Sequence, residues 1–189
     1  SSIGNNCERA IFYERTIPAE LRIAHEPGLQ AIFALGNDFE RIVLRELEFE
    51  LGVEIVQRGR DHLDPELQLS GHVDALIRVP GYPDAIPIEI KGLNPHMAQR
   101  IRTLADIREN HAAWVRKYYA QLQVYLMLSG RALGLFVLKN KSTGEVRFIA
   151  CPADAPYQES LREKARRVKA RVAAGAAPER SISSDCERC

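Results

Sequence analysis

Two stretches decide how this chain is read: Ser70-Gly71-His72-Val73-Asp74-Ala75-Leu76 and Ile86-Pro87-Ile88-Glu89-Ile90-Lys91-Gly92. Each is predicted to be a strand, over residues 67–79 and 85–91. Pro80-Gly81-Tyr82-Pro83 forms the turn between them, because proline and glycine set the backbone angles a reversal needs. Side chains alternate across a strand. Glu89 and Lys91 therefore share one face, while Ile86, Ile88 and Ile90 share the other and can enter a core. With Asp74 on the neighbouring strand, two carboxylates and an ammonium meet on one side of a hairpin whose back is apolar. Clustered carboxylates repel and resist burial unless a positive group stands between them. Mg²⁺ or Mn²⁺, hard cations that take oxygen ligands, meet that requirement. Lys91 can hold a water or steady negative charge developing on a phosphate. The competing reading is a hairpin that carries a solvated ion pair.

Working outward, residues 29–51 read as a helix with an apolar stripe of Phe39, Ile42, Val43 and Leu47. Glu40 lies beside that stripe, either as a third carboxylate for the site or as one more solvent-facing glutamate. Residues 53–58 read as a short first strand, and residues 58–65 as a polar turn with His62 exposed. Residues 97–110 read as a helical or mobile segment carrying Arg100, Arg102 and Arg108, placed to cover the site and touch a nucleic-acid backbone or else to sit in water. Residues 111–129 form the strongest helix, closed by Gly130. Gln121 and Tyr125 lie one turn apart on it and face the same way. Arg116 and Lys117, on the same helix, suit phosphates. A second hairpin spans residues 132–151, and a last helix, basic on its outer side, spans residues 157–173.

At 189 residues the chain is long enough for a real core. Hydrophobic and charged fractions of 46% and 27% are those of a soluble globular protein. No apolar run approaches the roughly 20 residues of a membrane helix. A net charge of +1 provides no global attraction for nucleic acid, so any such binding must come from local basic faces. The four cysteines, with no extracellular cue, read as thiols or metal ligands. The ending Cys186-Glu187-Arg188-Cys189 is a spacing from which two sulfurs reach one metal.

Gly71-His72-Val73-Asp74-Ala75-Leu76, Ile88-Glu89-Ile90-Lys91-Gly92 and Gln121-Leu122-Gln123-Val124-Tyr125 resemble, in order and spacing, the core motifs of PD-(D/E)XK nucleases. The likeness is to the RecB-like branch, with its phage exonucleases and CRISPR-associated iron–sulfur exonucleases, and it runs from Cys7 to Cys189. It implies an α/β fold: a mixed central sheet flanked by helices, restriction-endonuclease-like, in one domain over residues 1–189. It implies a metal-dependent DNA exonuclease that hydrolyses phosphodiester bonds in recombination, repair or phage replication, in the cytoplasm of a bacterial or phage-infected cell. Asp74 and Glu89 would hold Mg²⁺ or Mn²⁺ with the Ile90 carbonyl, and Glu40 would join them as an acid from a glycine-containing helix. Lys91 would orient the attacking water, and Gln121 and Tyr125 would position the substrate. DNA is the implied partner, through Arg100, Arg102, Arg116 and Lys117, beside a recombination or single-strand-annealing protein.

Two details qualify the likeness. Pro83-Asp84 spells the family's literal Pro-Asp pair, but it lies five residues before Glu89, too near for a strand, turn and strand; Asp74 is the acid. The iron–sulfur members use one cysteine near the N-terminus and three near the C-terminus. Cys7, Cys186 and Cys189 match, and Cys151 is either the fourth ligand or a packed thiol. A 4Fe–4S cluster is the implied occupant, with zinc as the alternative, in a structural role that ties the two ends of the chain together. A sequence-specific endonuclease on the same core, and a non-catalytic DNA-binding or adaptor module, are the rival readings.

Overall fold

The alternation of the central hairpin extends into a five-stranded sheet. The structure is a computed structural model and describes residues 2–22 and 26–180. Its helices are α1 (Glu8–Thr16), α2 (Pro27–Phe49), α3 (Pro95–Arg100), α4 (Leu104–Arg108), α5 (Ala113–Ser129) and α6 (Ala155–Ala173). The strands are β1 (Glu54–Asp64), β2 (Leu69–Arg78), β3 (Ile86–Leu93), β4 (Leu133–Asn140) and β5 (Val146–Pro152), and they lie side by side in chain order. Neighbours are antiparallel except β3 and β4, which are parallel. The parallel step follows from the long helical connection α3–α4–α5, since such a crossover returns the chain in its original direction. This is the mixed α/β fold with flanking helices that the motif order predicts.

The two faces of the sheet are covered by different helices. Val43, Leu44 and Leu47 of α2 pack on Ile86, Ile88 and Ile90 of β3, with Ala75, Ile77 and Val137 beside them. On the other face Leu122, Tyr125 and Leu126 of α5 pack on Val73, Leu76, Phe136 and Leu138. Each such buried aliphatic side chain contributes about 1.5–3 kcal/mol of transfer free energy. Behind α5, Ile3, Ile11, Val124, Leu161, Ala165 and Val168 tie α1 and α6 to the body. Gly71 lets α5 sit close to β2: a Cβ there would lie 3.0 Å from the Cα of Tyr125.

One irregularity in β2 places the site. Val73 and Leu76 face α5, whereas Ala75 and Ile77 face α2. The strand turns over at Asp74. The β2–β3 ladder ends at the pair Ala75 and Ile88, so the strands part just where Asp74 and Glu89 follow.

The structure corrects two sequence expectations. Residues 58–64 are strand rather than turn: β1 continues to Asp64, opposite Leu69, and the turn begins at Pro65. As an edge strand β1 keeps polar side chains in water along its length, which hides it from a periodicity argument. Residues 97–110 form two short helices instead of one. Ile101 adopts an extended backbone, and Thr103 starts α4 through a reciprocal cap with Asp106.

Candidate active site at the parting of β2 and β3

Three charged side chains from the central hairpin meet where its strands separate. Asp74 is 8% exposed and Glu89 4%. With the β2 ladder ended, the Ile90 N–H donates to Asp74 Oδ2 at 2.6 Å. Lys91 Nζ lies 2.7 Å from Glu89 Oε1. It also stands 5.0 Å over the ring of Tyr118 from α5, a cation–π contact that holds the ammonium from its other side.

The electrostatics follow from burial. Loss of water, then repulsion from Glu89, raises the Asp74 carboxyl to about 7 against the pull of Lys91 and the Ile90 N–H. Burial favours a neutral Lys91, but the attraction of Glu89 and Asp74 outweighs it and raises the ammonium above its ordinary value. Lys91 is therefore a fixed cation at neutral pH, a hydrogen-bond donor rather than a base. Asp74 cannot ionise fully beside Glu89 without more positive charge than Lys91 supplies, and that is a demand for a further cation.

Asp74 and Lys91 open onto a cleft of about 520 Å³. Its walls include Phe33, Phe39 and Glu40 of α2, Lys91 and Gly92 of β3, and Tyr118 of α5. Glu40 is half-buried, and burial raises its carboxyl, with Glu89 raising it further and His72 and Lys91 lowering it. It thus feels the same charges as the buried pair. Lys141, from the turn after β4, sets its ammonium 5.4 Å over the Phe39 ring. Gly92 makes room for both: a Cβ there would lie 2.4 Å from Lys141 Cε and 2.7 Å from the Phe39 ring.

Oxygen donors suited to a hard cation are present in Asp74 and Glu89, with the Ile90 carbonyl adjacent in sequence. Among the described residues no three His, Cys, Asp or Glu side chains gather into a complete metal cage. A pair of carboxylates with open positions suits Mg²⁺, which keeps waters and shares its coordination with substrate phosphates.

The other expected residues lie elsewhere. Tyr125 is fully buried, its ring edge-on to His62 with centroids 5.0 Å apart. His62, expected in the open, is thus half-buried under α5. Gln121 is half-buried on the α5 face that carries Tyr118. Arg100 is exposed beside His96, and Arg102 donates to the Gln99 carbonyl. Arg116 donates to the carbonyls of Asn110 and His111, clamping the entry to α5, while Lys117 is exposed. These four do not line the cleft. Asp84 borders a separate hollow with Tyr82 and Arg131. Sequence reasoning missed Tyr118, three residues before Gln121, and Lys141, which no local pattern connects to the site.

Of the cysteines, Cys7 is buried before α1 and Cys151 is buried in β5. Burial pushes the Cys151 thiol up to about 12, and Gln123 Nε2 approaches its sulfur at 3.4 Å. Cys186 and Cys189 lie outside the described residues. Arg9, two residues past Cys7, donates to the Pro178 carbonyl at 2.6 Å, which brings the C-terminal segment against α1.

Comparison with solved structures places the fold. The chain shares the architecture of an alkaline exonuclease, a mixed sheet flanked by helices. That protein is LHK-Exo from Laribacter hongkongensis, matched with a TM-score of 0.59 at 14% identity over 92% of this chain and 90% of that one. The same exonuclease in complex with dAMP matches with a TM-score of 0.57 at 15% identity over the same shares. No protein-family description and no curated protein matches the chain.

Proposed function

We propose that this chain is a metal-dependent deoxyribonuclease of the PD-(D/E)XK type, acting as an exonuclease on DNA in recombination, repair or phage replication. The observation that carries this reading is the buried trio: Asp74 and Lys91 line a cleft, and Glu89 lies behind them at 2.7 Å from Lys91. The shared fold with an alkaline exonuclease supports it. A structural ion pair has no need of a second buried carboxylate held without a cation of its own.

Asp74, Glu89 and the Ile90 carbonyl would hold Mg²⁺ or Mn²⁺, with Glu40 at the rim. A divalent ion there supplies charge stabilisation on the phosphate and acidifies a water. The Ile90 N–H fixes one Asp74 oxygen and leaves the other for a ligand. Glu89 and the Tyr118 ring hold the Lys91 ammonium in one place, so it can donate to a phosphate oxygen or to the attacking water as negative charge builds. Gln121, three residues past Tyr118 on α5, would touch the substrate strand beyond the cleft wall. In the reaction a water oxygen bonds to phosphorus, the phosphorus–oxygen bond to the leaving nucleotide breaks, and a solvent proton completes the leaving hydroxyl. Cys7, Cys186 and Cys189 are the chain's candidate ligands for a structural iron–sulfur cluster or zinc, which enters no chemical step.

The test is degradation of linear duplex and single-stranded DNA with Mg²⁺, against Asp74→Ala and Lys91→Ala. Loss of cleavage in both variants, with circular DNA resistant, is the expected result. Undiminished cleavage in either variant rejects the site, and cleavage of closed circles rejects the exonuclease.

A further inference from the structure

The single tryptophan of the chain lies outside the core, against a residue that lines the cleft. Trp114 lies in the first turn of α5 and is 49% exposed. Its ring meets Tyr118 edge-on, with centroids 5.8 Å apart at 74°. Tyr118 in turn carries the Lys91 ammonium and lines the cleft. Trp114, Lys117, Tyr118 and Gln121 fall at the i, i+3, i+4 and i+7 positions of one helical face. The opposite side of the same turn is anchored, with Val115 fully buried and Tyr119 2% exposed. The indole is thus held out beside the cleft-lining Tyr118 by a helix whose other side is anchored. Across the cleft, Ile32 and Phe33 of α2 are 61% and 52% exposed.

A single exposed aromatic residue is ordinary. This one continues an array of aromatic, lysine and acid groups that ends in the candidate catalytic trio. Lysine ammoniums suit a phosphate backbone, and an exposed aromatic ring suits the face of an unpaired base, whatever its identity. A base inside a duplex is already stacked and does not present that face.

We infer that Trp114 is a base-stacking platform: the cleft takes a DNA strand end with unpaired bases, and a base next to the scissile phosphate stacks on the indole. This rests on the nuclease reading for the phosphate, while its own signal is independent of cleavage. Stacking accounts for substrate positioning at the margin, and Lys91 with the carboxylates accounts for the chemistry.

The wild-type protein reports on itself, because its indole emission comes from Trp114 alone. It is titrated with single-stranded oligothymidylate at low ionic strength, with Ca²⁺ as the oxygen-seeking cation. An abasic oligonucleotide of equal length and a blunt duplex are titrated in parallel. Quenching by the oligothymidylate, with the abasic strand and the blunt duplex leaving emission unchanged, is the expected result. No quenching, or equal quenching by the abasic strand, overturns the inference. In Mg²⁺-driven cleavage of a single-stranded end, Trp114→Ala should raise KM by about 5- to 150-fold, the range expected for losing one aromatic–base stack. Trp114→Phe should recover most of that loss. A loss confined to kcat, or no rescue by phenylalanine, also overturns the inference. Quenching without cleavage would reject the nuclease reading alone, and cleavage without quenching would reject the platform alone.

Discussion

Lys91 Nζ and Glu89 Oε1 lie 2.7 Å apart, two residues from each other on one face of β3. The pair is held from behind by Tyr118 and faces Asp74, so its ammonium offsets more negative charge than its own partner carries. That asymmetry separates the trio from an ordinary ion pair.

Removing the ammonium should have two effects. Lys91→Ala is expected to lower kcat for linear DNA by about 100-fold or more, the scale of losing one group that stabilises developing charge. It should also destabilise the metal-free fold by about 3–5 kcal/mol, since two buried carboxylates lose their counter-charge. Chemical denaturation checks the second effect, and Mg²⁺ should return part of the lost stability.

Metal binding should be visible without substrate. At a concentration about 100 times its dissociation constant, Mg²⁺ stabilises the folded state by about 2.7 kcal/mol. The melting temperature of wild-type protein should rise accordingly with Mg²⁺ or Mn²⁺, and Glu89→Gln should abolish the rise. An equal rise in the variant would place the ion elsewhere.

Close approach should make Gly71 intolerant of a methyl group. Gly71→Ala sets a Cβ 3.0 Å from the Tyr125 Cα, and backbone does not swing aside. A loss of about 1–3 kcal/mol is expected by overpacking. Gly92→Ala should cost less stability, because Lys141 is a flexible chain that can move. It should disturb the cleft more, by shifting the Phe39 ring. Denaturation midpoints and cleavage rates measured on both variants check the contrast.

Away from the cleft, Asp154 caps α6 by accepting from the Tyr157 N–H at 3.0 Å and binds the Tyr119 hydroxyl at 2.8 Å. The Tyr157 bond, then the Tyr119 bond, holds its carboxyl below the usual value. A depressed folded-state value means the contribution is present above the unfolded value of about 3.9 and is lost as pH falls through the folded one. Asp154→Ala should therefore cost about 1 kcal/mol at pH 7. The difference from wild type should shrink as the pH is lowered from about 5 towards 2, which denaturation across that range will read.

The hairpin and its chemistry were legible in the sequence because a strand has a period of two. The order Ile86, Ile88, Ile90 against Glu89, Lys91 leaves only one way to bury the apolar set, and the carboxylate and ammonium follow. The edge strand was half-hidden, since polar side chains along an exposed edge carry no such contrast. The break in residues 97–110 was hidden too, because apolar spacing continues across it while the backbone does not.

Tertiary structure alone decided which remote groups complete the site. Tyr118 and Tyr125 lie seven residues apart on one face of α5, so the helical period treats them alike. Along the helix they are about 10 Å apart. Where β2 and β3 part, that distance sets Tyr118 beneath Lys91 and leaves Tyr125 under the sheet against His62. A periodic pattern records which way a side chain faces. How far along the sheet it arrives is set by how closely the helix packs, here by the missing side chain of Gly71, and that is a property of contacts between segments.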